Sequence, residues 1–329
     1  MNIGVDAAAL GMSSAVTSHS ADVNSGYWNP AGLVNIEDNQ LALMHSSYFA
    51  NIANYDYAAF AMPIDNRSAV GISLIRFAVD DILNTTQLID EQGNINYDRI
   101  SLFSTADYGI TFSYARKSTL NDGLSFGANA KVIRRIIGDF ASSWGFGLDA
   151  GIQYKTRNDW SFGVMARDIT TTFNAWAIDE AEFQTIKDAV EGQNQELPET
   201  TEITIPKLQI GISKLITFHY DYTLLASANV NVRFEENNDV FSSSFASINP
   251  ALGFEFAYLD MVYLRGGAGN FQNETQIDDS EQVSFQPSFG LGFKYSGVQI
   301  DYAFTDIGDQ SVALYSNVFS LKIDLSIFR

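Results

Sequence analysis

The sequence predicts an all-β protein, a transmembrane antiparallel up-and-down β-barrel of about 14 strands. Three observations carry this reading. Apolar and polar residues alternate with period two over long runs, as in half-buried strands. Connections between the runs are short at one end of the strands and mostly long and acidic at the other. No stretch approaches the roughly 20 consecutive apolar residues that a membrane-spanning helix needs.

The alternation is clearest where Trp144, Phe146, Leu148, Ala150, Ile152 and Tyr154 interleave with Gly145, Gly147, Asp149, Gly151 and Gln153. It recurs in Leu224, Ala226, Ala228, Val230 and Val232 against Ser227, Asn229, Asn231 and Arg233, and again in Phe285, Phe289, Leu291 and Phe293 against Gln286, Ser288, Gly290 and Gly292. Aromatics stand at the ends of the apolar rows, where a membrane strand meets the lipid interfaces. The opposite face is Gly, Ser, Asn and Gln with isolated charges. A soluble sheet, the competing reading, would carry more charge on its exposed face.

The alternating runs centre on Leu43, Ala58, Ile72, Phe112, Ala128, Leu148, Val164, Ile210, Ala228, Phe254, Leu264, Leu291, Ile300 and Ile323. Short turns are expected at 65–68, 117–122, 155–159, 219–221, 259–260 and 295–297. Long acidic loops are expected at about 80–105 and 169–204, the second with a short helix over 179–192 from the spacing of Phe183, Ile186 and Val190. Pro250 and Pro287 fall toward the long-loop ends of their strands, where a missing N–H costs least.

Composition narrows function. The chain has 329 residues, 13% aromatics and 18% charged residues, a balance that favours strands. A formal net charge of −20 argues against nucleic-acid partners. No cysteine is present, which rules out disulfides and thiolate metal sites. The residues His19, His45 and His219 share no metal-ligand spacing. Asp278, Asp279 and Glu281 form an acidic run without the EF-hand pattern. Neither a GxSxG elbow nor a P-loop occurs. The expectation is a non-enzyme with no catalytic residues, no metal site and no cofactor.

By strand parity Lys131, Arg135, Asp149, Arg167, Arg233, Glu255, Lys294, Asp301, Lys322 and Asp324 face the lumen. Mixed signs in a narrow lumen are expected to pair with one another or with a plug, because an unpaired buried charge is costly.

Ahead of the first strand, residues 27–33 read YWNPAGL. Asn29 can bond backbone just downstream, Pro30 fixes φ, and Gly32 is free to take positive φ, so a tight fixed turn is expected. A second Asn-Pro-Ala at 249–251 lies within an alternating strand, so context decides the meaning of the first. The run 3–33, with its Gly-Val-x-Ala-x-Ala-Leu-Gly-Met start at 4–12, Asp22, Asn24 and the YWNPAGL turn, followed by YDYAAFAMPI at 55–64, resembles the PorV/PorQ family of outer-membrane barrels. That family falls within the wider group similar to the fatty-acid transporter FadL.

The resemblance implies a barrel at 39–329 whose N-terminal segment, 1–38, plugs the lumen, with Asn29, Pro30, Ala31, Gly32 and Leu33 as its turn. It further implies a bacterial outer-membrane location among lipid and lipopolysaccharide. For the PorV/PorQ branch the implied role is in type IX secretion in Bacteroidota-like bacteria, binding translocon subunits or cargo domains through the long loops. For the FadL branch it is transport of hydrophobic small molecules. Two departures stand out. Members begin with a signal peptide, so Met1 reads as a trimmed or mis-set start, and their terminal aromatic is here Phe328 followed by Arg329.

Overall fold

The structure, a computed structural model, describes residues 3–48, 52–85, 87–89, 93–180, 200–275, 280–305 and 316–328. Its strands are β1 Gln40–Tyr48, β2 Ala53–Asp65, β3 Ser68–Asn84, β4 Ser101–Lys117, β5 Leu124–Ile137, β6 Ala141–Lys155, β7 Trp160–Arg167, β8 Thr172–Ile178 and β9 Thr201–Thr204. They continue with β10 Lys207–His219, β11 Tyr222–Arg233, β12 Phe241–Ser242, β13 Ser247–Tyr258, β14 Val262–Thr275, β15 Glu281–Tyr295, β16 Val298–Thr305 and β17 Ser316–Asp324. Each pairs antiparallel with its neighbours, and β1 closes the sheet on β17 through partners such as Leu43 and Leu321.

The wall is a 14-strand barrel. β7 and β8 are one wall strand interrupted at 168–171, since both pair with β6. Likewise β9 and β10 are one strand interrupted at 205–206, pairing with β8 and β7 respectively. The two-residue β12 only extends the ladder beside β13. Every expected strand centre lies in a wall strand.

Closure removes the edges that an open sheet must otherwise protect. It also sorts the alternating residues. Phe146 is 61% exposed on the outer face, while Asp149 is 3% exposed inside. The outer row of β6 runs from Trp144 to Tyr154. At about 3.3 Å per residue and a tilt near 40° it spans roughly 25 Å, the height of the apolar band of a membrane barrel. Arg134 over Trp144 and Lys214 over Trp160 place cations against the bounding aromatics.

All six short turns occur where expected. Leu259 and Asp260 both have φ above 50°, as do the left-handed pairs that suit the twist of a tight hairpin. The long loops are shorter than the sequence indicates. β3 runs to Asn84 and β4 begins at Ser101, with Ile82 still paired to Phe103. The region 169–204 contains β8 and β9, which prolong the wall. Their alternation, with Thr172 and Asn174 buried and Phe173 exposed, is real but too short to stand out in a polar stretch. The helix expected at 179–192 lies outside the described residues, apart from Asp179 and Glu180, as do Asp278 and Asp279.

The strand prolines sit where one side lacks a partner. Pro250 pairs with Val230, but the β13 ladder with β14 starts at Leu252. Pro287 pairs with Ala268, and the ladder of β15 with β16 starts at Ser288. Each missing N–H therefore costs no ladder bond on that side.

Replacing Leu148, midway along β6 on the outer face, with Arg should lower barrel stability by about 2–4 kcal/mol, whereas Tyr154→Arg near the short-turn rim should cost about 0–1 kcal/mol. Denaturant titration of the barrel refolded into lipid vesicles measures both.

Candidate functional site

Residues 3–36 lie inside the barrel. Two four-residue helical turns, α1 Ala7–Leu10 and α2 Ser25–Trp28, are followed by a 3₁₀ segment, Pro30–Asn35. The apolar plug residues Val5, Leu10, Met12, Trp28 and Leu33 share one buried cluster with inward residues of β1 to β3, including Met44, Tyr55 and Tyr57, while Met12 itself lies over Gly253 and Gly267 of β13 and β14. This is the only stretch of wall whose inner face is strongly apolar among the described residues.

Asn29 is fully buried and extended, at φ −159°. Its Oδ1 accepts from the Ala31 amide at 3.2 Å, capping the 3₁₀ segment that Pro30 opens. Its Nδ2 donates to the carbonyl oxygens of Thr17 at 3.0 Å and Ile152 at 3.1 Å, so one side chain joins two parts of the plug to the wall. The wall is hollowed to receive it. A Cβ at Gly151 would meet Asn29 Oδ1 at 2.1 Å, and one at its strand partner Gly127 would meet the Ala31 amide at 2.3 Å.

Gly32 serves differently from the expectation. Its φ is not positive, and it is required instead because a Cβ there would stand 2.0 Å from the Ser20 carbonyl oxygen. Beside the turn, Trp28 Nε1 donates to the Val5 carbonyl at 3.1 Å, and the Tyr27 and Tyr55 hydroxyls both donate to the Ile3 carbonyl. The aromatic pair thus straps down the start of the plug.

Two cavities flank this arrangement, and Trp28 lines both. The upper one, on the long-loop side, has a volume of about 370 Å³ and is bounded by Ile3, Leu10, Arg167, Lys207 and Arg233. The lower one, of about 330 Å³, is bounded by Asp6, His19, Asp22, Arg265 and Lys322.

The lower side is laced with ion pairs. Lys322 Nζ lies 2.5 Å from Asp22 Oδ2, so a wall cation holds a plug anion. Arg265 bonds Glu255 at 2.5 Å and Asp301 at 2.6 Å. Gln40 donates to Asp324 at 2.7 Å and accepts from the Val23 amide of the plug. Lys294 also lines this cavity. Farther up, Lys131 bridges Asp149 at 2.7 Å and Asp168 at 2.5 Å, beside the interruption between β7 and β8. Arg135 reaches Asp107 and Glu202 near the upper rim.

Arg167 is different. Its guanidinium stacks 4.5 Å from the Tyr27 ring centroid and donates to the Tyr27 carbonyl at 2.7 Å. Arg233 lines the upper cavity. Sequence reasoning missed Arg265, Lys207 and Asp6. Parity could have found the first two, since Arg265 and Lys207 stand opposite the inward Glu255 and Arg167. Asp6 had no such signal, because no strand pattern governs the plug.

Burial, with the charges of Asp301 and Asp22, pushes the Asp6 carboxyl up to about 7. Burial also drives His19 down to about 4, so it is neutral in the docked plug. Burial would raise Asp22 as well, but the Lys322 ammonium holds it below the usual carboxylate range.

With that geometry the chain is a transmembrane barrel carrying a docked luminal plug, and its fold is that of the FadL-like outer-membrane barrels. A Pseudomonas aeruginosa FadL homologue superposes at TM-score 0.54 with 13% identity, over 98% of this chain and 100% of that one. The Pseudomonas putida toluene transporter TodX superposes at TM-score 0.60 with 11% identity, over 98% of both chains. The Ralstonia pickettii toluene transporter TbuX gives 0.56 and 11%, over 98% of this chain and 99% of that one. No family model and no curated protein sequence matches.

Gly151→Val should expel the turn and open the barrel without unfolding the wall, which raised uptake of bulky antibiotics by expressing cells, with normal heat-modifiable migration, would report. Asn29→Ala leaves two buried carbonyl oxygens without their donor and should cost about 1–3 kcal/mol in plug docking.

The sign of the Asp6 effect follows from its raised value. The docked plug keeps a proton that a released plug loses, so docking weakens as pH rises from about 4 to about 7. His19 opposes this, because its lowered value weakens docking as pH falls from 6.5 toward 4. Asp6→Asn should remove only the first effect. The difference in thermal midpoint between wild type and variant should therefore change across pH 4–7 and be flat above it.

Proposed function

We propose that this barrel is an outer-membrane transporter for small hydrophobic molecules, gated by its N-terminal plug. The observation that carries the reading is the two-cavity lumen divided at Trp28, within a fold that matches toluene transporters along the whole chain. A small apolar molecule entering the upper cavity meets Ile3, Leu10 and Trp28 as its floor. Rotation of Trp28, or release of residues 3–5 from their Tyr27 and Tyr55 straps, would join the cavities without disturbing the Asn29 anchor.

The type IX secretion reading is less well supported. The solved structures that resemble the chain include toluene transporters and a monoaromatic hydrocarbon channel. Partners in secretion therefore give way to a small-molecule ligand, with outer-membrane lipid as the surrounding medium.

Expression in an outer-membrane host lacking hydrocarbon uptake should raise the initial rate of radiolabelled toluene entry several-fold. Trp28→Ala, which joins the two cavities, should raise it further. Entry no faster than in cells carrying an empty vector would overturn the transporter reading.

A further inference from the structure

Three cations stand side by side at the top of the lumen. Arg167 on β7 is directly opposite Lys207 on β10, and Lys207 is directly opposite Arg233 on β11. Direct cross-strand partners are about 5 Å apart along the backbone, and like charges in such positions repel. All three side chains border the upper cavity.

No described carboxylate pairs with any of them. The nearby Asp168 is engaged by Lys131 and by the Thr172 hydroxyl. Arg167 is spent on Gln209 and Tyr27, leaving the ends of Lys207 and Arg233 without a partner among the described residues. The amides beneath are occupied too. Gln209 donates to Asn231 at 2.7 Å, and Asn249 donates to Asp239 at 2.8 Å.

This arrangement departs from the rest of the barrel. Elsewhere in the lumen Lys131, Arg135, Arg265 and Lys322 hold carboxylates, and Lys294, which has no ion pair among the described residues, faces Gln299 across the strands rather than another cation. In a chain of net charge −20 an acidic neighbour was the easy choice, yet three adjacent strands each place a cation here. Local rules broken without internal compensation point to a ligand. A neutral hydrocarbon offers these groups no hydrogen-bond acceptor, whereas an oxyanion accepts charge-assisted hydrogen bonds from both Lys and Arg.

We propose that the row Arg167, Lys207 and Arg233 forms an oxyanion-binding site in the upper cavity, suited to a small dianionic solute such as a phosphate or a dicarboxylate. Two unpartnered cations match two negative charges, and Arg167 adds a third field while its stacking on Tyr27 ties the occupied site to the plug. The site does not rest on the transporter reading.

The test is thermal unfolding of the detergent-purified full chain at fixed ionic strength, titrated with inorganic phosphate, with succinate, or with chloride alone. Wild type should show a saturable rise of a few degrees with phosphate, succinate or both, and none with chloride. Which anion acts separates a phosphate site from a dicarboxylate site. Lys207→Gln and Arg233→Gln should lose at least three-quarters of that rise. Without anion both should unfold at a temperature equal to or above wild type, because a repulsion has been removed.

Absence of a saturable rise in wild type, or an undiminished rise in both variants, overturns the site. A lowered midpoint of both variants without anion also overturns it, since the cations would then be structural. Failure of toluene uptake with the anion response intact would refute transport and leave the site standing.

Discussion

The buried amide of Asn29 is the constraint on which the plugged barrel depends. A chain folded inside a closed sheet must satisfy its own backbone groups without water and without a free sheet edge to join. Asn29 meets this at the tightest point. Its oxygen caps the segment that follows, and its nitrogen serves carbonyls from the plug and from β6 together. Only side chains that vanish on the wall let it approach, hence Gly127 and Gly151 opposite one another. The turn, the wall recess and the register of β5 on β6 therefore have to agree.

From that anchor the rest of the plug divides by chemistry. Much of its apolar surface joins a cluster with β1 to β3, where Tyr55 and Tyr57 replace the small polar side chains found elsewhere. Its acidic residues face the lower side, where Lys322 and Ser320 reach Asp22 and Asp6. A plug held by packing on one flank and by charge on another can loosen at its start, residues 3–5, while its middle stays fixed. That is the mechanical requirement for a gate.

The wall was legible because membrane strands obey one rule for their whole length. Lipid demands an apolar outer row, and parity then assigns most mid-strand charges to the lumen, as for Asp149, Glu255 and Lys322. Legibility fell where the rule lapses. β1 to β3 carry apolar residues on the inner face because they pack on the plug, and His45, Asp56 and Arg76 on the outer face, so their alternation is blunted. β8 begins beside the top of the apolar band, with Phe173 opposite Phe146, and rises past it with β9, where no outer row is demanded. The Asn-Pro-Ala turn was readable as a turn, but the reason for Gly32 was not, since the Ser20 carbonyl that excludes a side chain is brought there only by tertiary folding. The inward glycines were visible as small residues, and the plug contour they follow was not.

Charge is distributed unequally along the lumen, and this asymmetry has a functional consequence. The lower side is closed electrostatically, with Asp22, Glu255 and Asp301 answered by Lys322 and Arg265. On the upper side Arg167 is shared between Gln209 on the wall and the plug, where it holds the ring and carbonyl of Tyr27, the residue next to Trp28. Anything that draws the Arg167 guanidinium upward weakens its hold on Tyr27, and Tyr27 in turn holds Ile3 through its hydroxyl. Occupancy of the upper cavity and restraint of the plug's first residues thus compete for one side chain.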